Sequence, residues 1–118
     1  MPRILVADDS RHFAEMLRAT LEDAGYEVET AYSGLAAVAV VERGDVALAV
    51  LDVLMPGISG DAIAERVRQI DPTLPVLLMT GDYGDAFVAG AGLPVLHKPF
   101  SHEDFLNAVR KLVPEPAT

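Results

Sequence analysis

The chain of 118 residues contains no cysteine and no tryptophan. Without cysteine, neither a disulfide framework nor a thiolate metal site can form. Aromatic residues make up only 6% of a sequence that is 51% hydrophobic, so Ala, Val and Leu must supply most of the core. That composition suits helices packed closely on a Val/Leu-rich parallel sheet. Positive charge is also scarce. Nine Lys and Arg face 18 Asp and Glu, for a formal net charge of −9. Nucleic-acid binding draws on cations that release condensed counterions, and the cations here are scattered, so direct binding is not expected. Long hydrophobic runs are missing as well. The longest stretches free of Asp, Glu, Lys and Arg are Thr30 to Val41 and Ala86 to His97. Both fall well short of the roughly 20 apolar residues of a membrane helix. Met1-Pro2-Arg3 leads straight into a strand pattern rather than a signal-peptide core. No membrane association is expected, and the cytoplasm is the expected compartment.

The length predicts a single domain spanning 1–118, with 114–118 a tail or the start of a linker. Such a chain buries roughly two-thirds of its extended surface, enough for a core without staples. Within it, four apolar runs each end on a polar or ionic residue. Arg3-Ile4-Leu5-Val6-Ala7 runs into Asp8-Asp9, and Val46 to Leu51 runs into Asp52. Pro75 to Met79 runs into Thr80, and Val95-Leu96-His97 into Lys98. If the strands are parallel, all four ends share the carboxyl edge of one sheet, where open α/β folds bind ligands.

Helical patterns alternate with these runs. Ser10 is placed to cap a helix with Phe13, Met16, Leu17, Leu21 and Ala24 at helical spacing. Arg11–Glu15 and Arg18–Glu22 fall at i,i+4 on its outer face, and Gly25 ends it. Tyr26 to Ala31 alternates as an edge strand, with Glu27 and Glu29 on the solvated side. Ser33 caps a helix from Gly34 to Arg43 that Gly44 closes. Met55-Pro56-Gly57 forms a turn, and Ser59-Gly60 opens a helix with Ile63, Val67 and Ile70 inward, stopped before Pro72. The last helix begins at Ser101 with Asp104 as capping partner and buries Phe105, Leu106, Val109, Leu112 and Val113. Between Gly81 and Gly92 four glycines leave room for only one or two helical turns, around Asp85 to Ala89. The expected fold is α/β: a doubly wound five-stranded parallel sheet, flavodoxin-like, with a shortened fourth helix. Strand order 2-1-3-4-5 is chosen because it sets strands one and three side by side, bringing Asp8-Asp9 to Asp52.

Three carboxylates within a few ångströms repel one another unless a cation compensates. A hard divalent ion suits them, and Mg²⁺ in particular takes one or two carboxylates plus water and phosphate oxygens. A single strand-end aspartate reads equally as a cap or a solvated loop residue. Three of them beside a lysine and a threonine read as a site for phosphoryl chemistry on an aspartate. The chain holds only two lysines, Lys98 and Lys111. An ammonium at Lys98 is suited to neutralising a phosphoryl oxygen, and the Thr80 hydroxyl to donating to one. His12, His97 and His102 do not form a cluster, and Met55 and Phe100 read as packing residues.

Over essentially its whole length the chain resembles the receiver domains of two-component response regulators. The resemblance rests on Asp8-Asp9, on Asp52 followed by Met55-Pro56-Gly57, on Thr80-Gly81, and on Lys98-Pro99-Phe100. It implies that Asp52 accepts a phosphoryl group from a phosphohistidine on a sensor histidine kinase or a histidine phosphotransfer protein. It implies that Asp9, Asp52 and the Leu54 backbone carbonyl bind Mg²⁺, with Asp8 acting through water. Lys98 would contact the phosphoryl group, Thr80 would move to hydrogen-bond it, and the Lys98–Pro99 peptide would be cis. Leu54 and Asp82, two residues after Asp52 and Thr80, would tune the lifetime of the acyl phosphate by controlling water access. The protein would be a signalling switch rather than a conventional enzyme, with an unnamed downstream protein partner and homodimerisation left open.

Two departures from the family pattern stand out. Val95 occupies the position three before the lysine where many receivers carry a switch aromatic; Tyr83 or Phe87 are the substitutes at hand. The segment between Thr80 and Lys98 is short, which alters a common output face. Two alternatives compete. One is a degenerate receiver that binds partners without phosphorylation. The other is a small aspartyl-phosphate phosphatase like the haloacid dehalogenase-like enzymes, which need a second acid where this chain has Leu54 and a nucleophile on the first core strand.

Overall fold

Parallel pairing of short apolar strands builds the centre of the molecule. In the computed structural model, which describes residues 3–53, 55, 60–81 and 93–113, five strands form one sheet. They are β1 (Arg3–Ala7), β2 (Glu27–Ala31), β3 (Leu48–Asp52), β4 (Val76–Thr80) and β5 (Val95–His97). All pairings are parallel and the order is β2-β1-β3-β4-β5, as the juxtaposition of the acidic strand ends requires. Ala7 pairs with both Ala31 and Leu51, so the next residues along β1 and β3, Asp8 and Asp52, emerge side by side.

Four helices are described: α1 (Arg11–Asp23), α2 (Gly34–Arg43), α3 (Gly60–Ile70) and the C-terminal α4 (His102–Leu112). The expected serines start three of them. The hydroxyls of Ser10, Ser33 and Ser101 accept from the backbone N–H of Phe13, Ala36 and Asp104, satisfying donors that a helix start leaves unpaired. Gly25 (φ 97°) and Gly44 (φ 84°) follow α1 and α2 with positive φ, which a side chain there would oppose.

Alternation along the strands divides the core in two. Leu5, Ala7, Ala49, Leu51 and Leu78 face α2 and α3, where they meet Ala37, Val41, Ile63 and Val67. Ile4, Val6, Leu48, Val50 and Met79 face the other way, against Leu17 and Leu21 of α1 and Phe105 and Val109 of α4. The central strands β3 and β4 are therefore buried along their whole length, while edge strand β2 is exposed at Glu27. Glu29 of β2 receives Arg3 and Arg43, so half of the side expected to be solvated is bridged to its neighbours.

Three sequence expectations need adjustment. Met16, assigned to the apolar stripe of α1, is 39% exposed, and Ala14 is fully buried instead. A smaller residue lets α1 lie closer to the sheet. Arg11 does not pair with Glu15: its guanidinium lies 4.2 Å from the Tyr32 ring centroid, and Arg18 takes both Glu15 and Glu22. Leu106 and Leu112 are only half-buried, because Phe105, Val109 and Val113 fill the narrow stripe of α4 that faces the sheet. Leu54, the turn residues Pro56 and Gly57, Ser59, the segment 82–92 with the expected short helix, Tyr83 and Phe87, and the 114–118 tail lie outside the described residues. Among the described residues no helix is long and apolar enough to cross a membrane.

Phe105 is fully buried, whereas Leu35 is 78% exposed. F105A is expected to lower unfolding stability by about 3–5 kcal/mol. L35A is expected to stay within about 0.5 kcal/mol of the parent. Urea unfolding of the two variants checks both values.

Candidate functional site

The carboxyl edge of the sheet gathers Asp8 from β1, Asp52 from β3, Thr80 from β4 and Lys98 from β5. Carboxylate oxygens of Asp8, Asp9 and Asp52 all lie within 4.8 Å of one another. Asp8 and Asp52 are buried and Asp9 is exposed. Such a set of hard oxygen donors has the chemistry of a divalent-cation site, with Asp9 presented to solvent.

Lys98 supplies the compensating charge. Its ammonium donates to Asp8 Oδ2 at 2.9 Å and lies 3.6 Å from Asp52 Oδ2. The residue reaches that point because β5 pairs with β4 up to His97 opposite Thr80, and the Lys98 N–H then donates to the Thr80 carbonyl at 2.7 Å. The following peptide, Lys98–Pro99, is cis as expected. His97 is exposed, which agrees with its alternation away from Lys98.

Asp8 uses both oxygens on protein donors. Oδ1 accepts from the Ser10 backbone N–H at 2.9 Å, an Asx-type turn that also sets Ser10 at the start of α1, and Oδ2 accepts from Lys98. A carboxylate with 1% exposure is tolerated only when hydrogen-bonded and paired in this way. Thr80 stands at the same edge, fully buried, with its hydroxyl donating to the Gly81 carbonyl at 3.0 Å. Val95, at the position of the absent aromatic, is partly buried against the α2/α3 side of the core. Leu54 and Asp82 lie outside the described residues.

The structure also brings in residues that spacing alone did not single out for the site. The Phe13 ring lies beneath the Lys98 ammonium, 4.5 Å from centroid to Nζ, and touches Phe100 edge-to-face at 5.8 Å. Phe100 stacks on Phe105 at 5.7 Å, confirming its packing role. Nothing in the sequence could pair Phe13 with Lys98, since they meet only through the fold. Arg11 over Tyr32 forms a second cation–ring contact, at the start of α1. The three histidines stay apart as expected, although His102 Nδ1 meets Thr20 Oγ1 at 2.6 Å and ties α4 to α1.

Without a metal ion, K98M removes the ammonium facing two buried carboxylates and is expected to cost about 1–3 kcal/mol of stability. Adding D52N to K98M should recover part of that loss, because one of two opposed carboxylates is then neutral. Urea unfolding in chelator-treated buffer measures the cycle; equal losses in the single and double variants would show that Lys98 does not offset repulsion at Asp52.

The chain is similar to known proteins along most of its length. The family described as response regulator receiver domain matches residues 4–110. The receiver protein CpdR of Brucella abortus is 32% identical over 117 residues, covering 96% of this chain and 98% of that protein. The transcriptional regulatory protein TctD of Salmonella typhimurium is 37% identical over 94% of this chain, which spans only 51% of TctD. This chain likewise spans about half the length of several other curated relatives it matches. Among solved structures, a putative response regulator from Chloroflexus aurantiacus superposes with a TM-score of 0.85 at 37% identity, covering 95% of this chain and 98% of that one. The chemotaxis protein CheY4 of Vibrio cholerae gives 0.84 at 30% identity, over 96% and 99%. With that coverage and those levels of identity, the chain belongs to the receiver-domain family of two-component response regulators.

Proposed function

We propose that this receiver is a phosphorylation-controlled switch in which Asp52 accepts a phosphoryl group from a phosphohistidine on a sensor histidine kinase or histidine phosphotransfer protein. The observation that carries the reading is the meeting of three carboxylates within 4.8 Å beside the Lys98 ammonium. Asp9, Asp52 and the Leu54 carbonyl would hold Mg²⁺, and Asp8 would reach it through water, in keeping with its oxygens already accepting from Ser10 and Lys98. The ion, when bound, supplies charge neutralisation for the phosphoryl oxygens.

Transfer needs in-line geometry and charge neutralisation more than acid or base catalysis. An Asp52 carboxylate oxygen attacks phosphorus as the P–N bond of the donor breaks, and the leaving imidazole keeps the electron pair and takes a proton. Lys98 shifts from Asp8 toward a phosphoryl oxygen, and the Thr80 hydroxyl exchanges the Gly81 carbonyl for another. Water later attacks phosphorus, breaks the bond to Asp52, and releases inorganic phosphate with the carboxylate restored. The chain thus assists reactions of its own Asp52 and is not a conventional enzyme. Its phosphorylated form changes affinity for a protein partner in the cytoplasm. The presence of Asp8, Asp9, Asp52, Thr80 and Lys98 at one edge leaves the phosphorylation-independent module without an observation in its favour, and Leu54 in place of a second acid disfavours the phosphatase.

Incubation with acetyl phosphate and Mg²⁺ is expected to give one phosphoryl adduct by intact mass, lost without Mg²⁺ and in D52N. No adduct in a folded protein, with no response to beryllofluoride either, would overturn the reading. Mg²⁺ should also raise the melting temperature by mass action, and D9N should lose most of that rise; a full rise in D9N would remove Asp9 from the metal site.

A further inference from the structure

Lys98, the cation that the described residues bring to the site, rests on an aromatic ring. Lys98 Nζ lies 4.5 Å from the Phe13 centroid, hydrogen-bonded to Asp8 at 2.9 Å and 3.6 Å from Asp52. Phe13 sits in the first turn of α1, half-buried, and its ring is braced at 65° by Phe100, which stacks at 18° on the fully buried Phe105. Three rings therefore run from the core to the underside of the ammonium, and the orientation of the outermost is set by packing.

A ring face attracts an ammonium through its quadrupole without offering a lone pair. A carboxylate or amide at position 13 would accept a hydrogen bond and hold Lys98 away from any incoming oxygen. An aliphatic side chain would supply no attraction, leaving a flexible four-carbon stem to sample solvent. We propose that Phe13 is a positioning residue for phosphoryl transfer: its ring keeps the Lys98 ammonium between Asp8 and Asp52 while leaving its donors available to a phosphoryl oxygen. The kinetic consequence rests on the receiver chemistry at Asp52; the placement of the ammonium does not.

The presence of only two lysines makes a clean test. In protein labelled with ¹³C,¹⁵N-lysine, exposed Lys111 serves as the internal reference for Lys98. The Lys98 ε-methylene signals should be displaced upfield by the Phe13 ring current. F13L should bring them to the Lys111 position and slow phosphorylation by acetyl phosphate roughly fivefold, the factor a cation–ring contact of ordinary strength provides. F13Y, which keeps the ring face, should restore both. Pentafluorophenylalanine at position 13, which keeps the shape but reverses the quadrupole, should slow the reaction as F13L does. Coincident lysine signals in the parent protein would overturn the proposal, as would a pentafluoro variant as fast as the parent or an F13Y variant as slow as F13L. Should the parent protein take no phosphoryl group, the receiver reading fails, while the lysine signals of the parent and F13L still decide whether the ring holds the ammonium.

Discussion

One ammonium set against three carboxylates is the constraint on which the rest of the arrangement depends. Charges of one sign in a buried setting are costly unless paired and hydrogen-bonded, and Asp8 and Asp52 are both buried. Lys98 is the described basic residue that ion-pairs with them, and it comes from the end of β5, two strands away from Asp52 in the sheet. The charge balance of the site therefore requires the whole width from β1 to β5 to be in register. A one-residue slip of β5 would reverse the directions of His97 and Lys98 and take the ammonium away from both buried carboxylates.

That register is protected by the way the core is divided. Strands β3 and β4 are covered on both faces, so their alternate residues are locked into different layers. The three-residue β5 has less to hold it, and the Lys98 N–H to Thr80 carbonyl bond extends the pairing to Lys98 itself. The Phe13–Phe100–Phe105 contacts do the same from the helical side, since Phe100 follows Lys98 closely and reaches the α1/α4 core. The site is thus built on elements whose positions are set by burial, and of its three carboxylates only Asp9 is open to solvent.

Much of this was legible in the residues, for definable reasons. Strands announced themselves because a parallel sheet buried on both faces demands continuous apolar runs, and Asp52, Thr80 and Lys98 fall where those runs stop. The caps at Ser10, Ser33 and Ser101 were legible because capping is local. The strand order followed from asking which neighbours would place the acids together. What escaped were contacts decided by three-dimensional competition. Arg11 had a sequence-adjacent partner in Glu15 but found the flat face of Tyr32, 21 positions away. Met16 matched the helical period, yet the smaller Ala14 took the place against the sheet. Lys98 and Phe13 belong to elements at opposite ends of the chain, so no periodicity relates them.

The two adjacent aspartates illustrate how position on an element separates identical side chains. Asp8 continues the inward course of β1 and is 1% exposed; Asp9 begins the turn into α1 and is exposed. Asp8 accordingly orders protein groups: the Ser10 N–H that starts α1 and the ammonium of Lys98. Asp9 faces the solvent. Helix α1 carries Phe13 one turn further on, so the hydrogen bond from Ser10 to Asp8 also sets where the ring stands beneath Lys98. A single local turn after β1 therefore places the buried acid, the exposed acid and the aromatic support relative to one another. Each depends on the helix beginning at Ser10, and a shift of that start by one residue would rotate Phe13 by about 100° away from the ammonium.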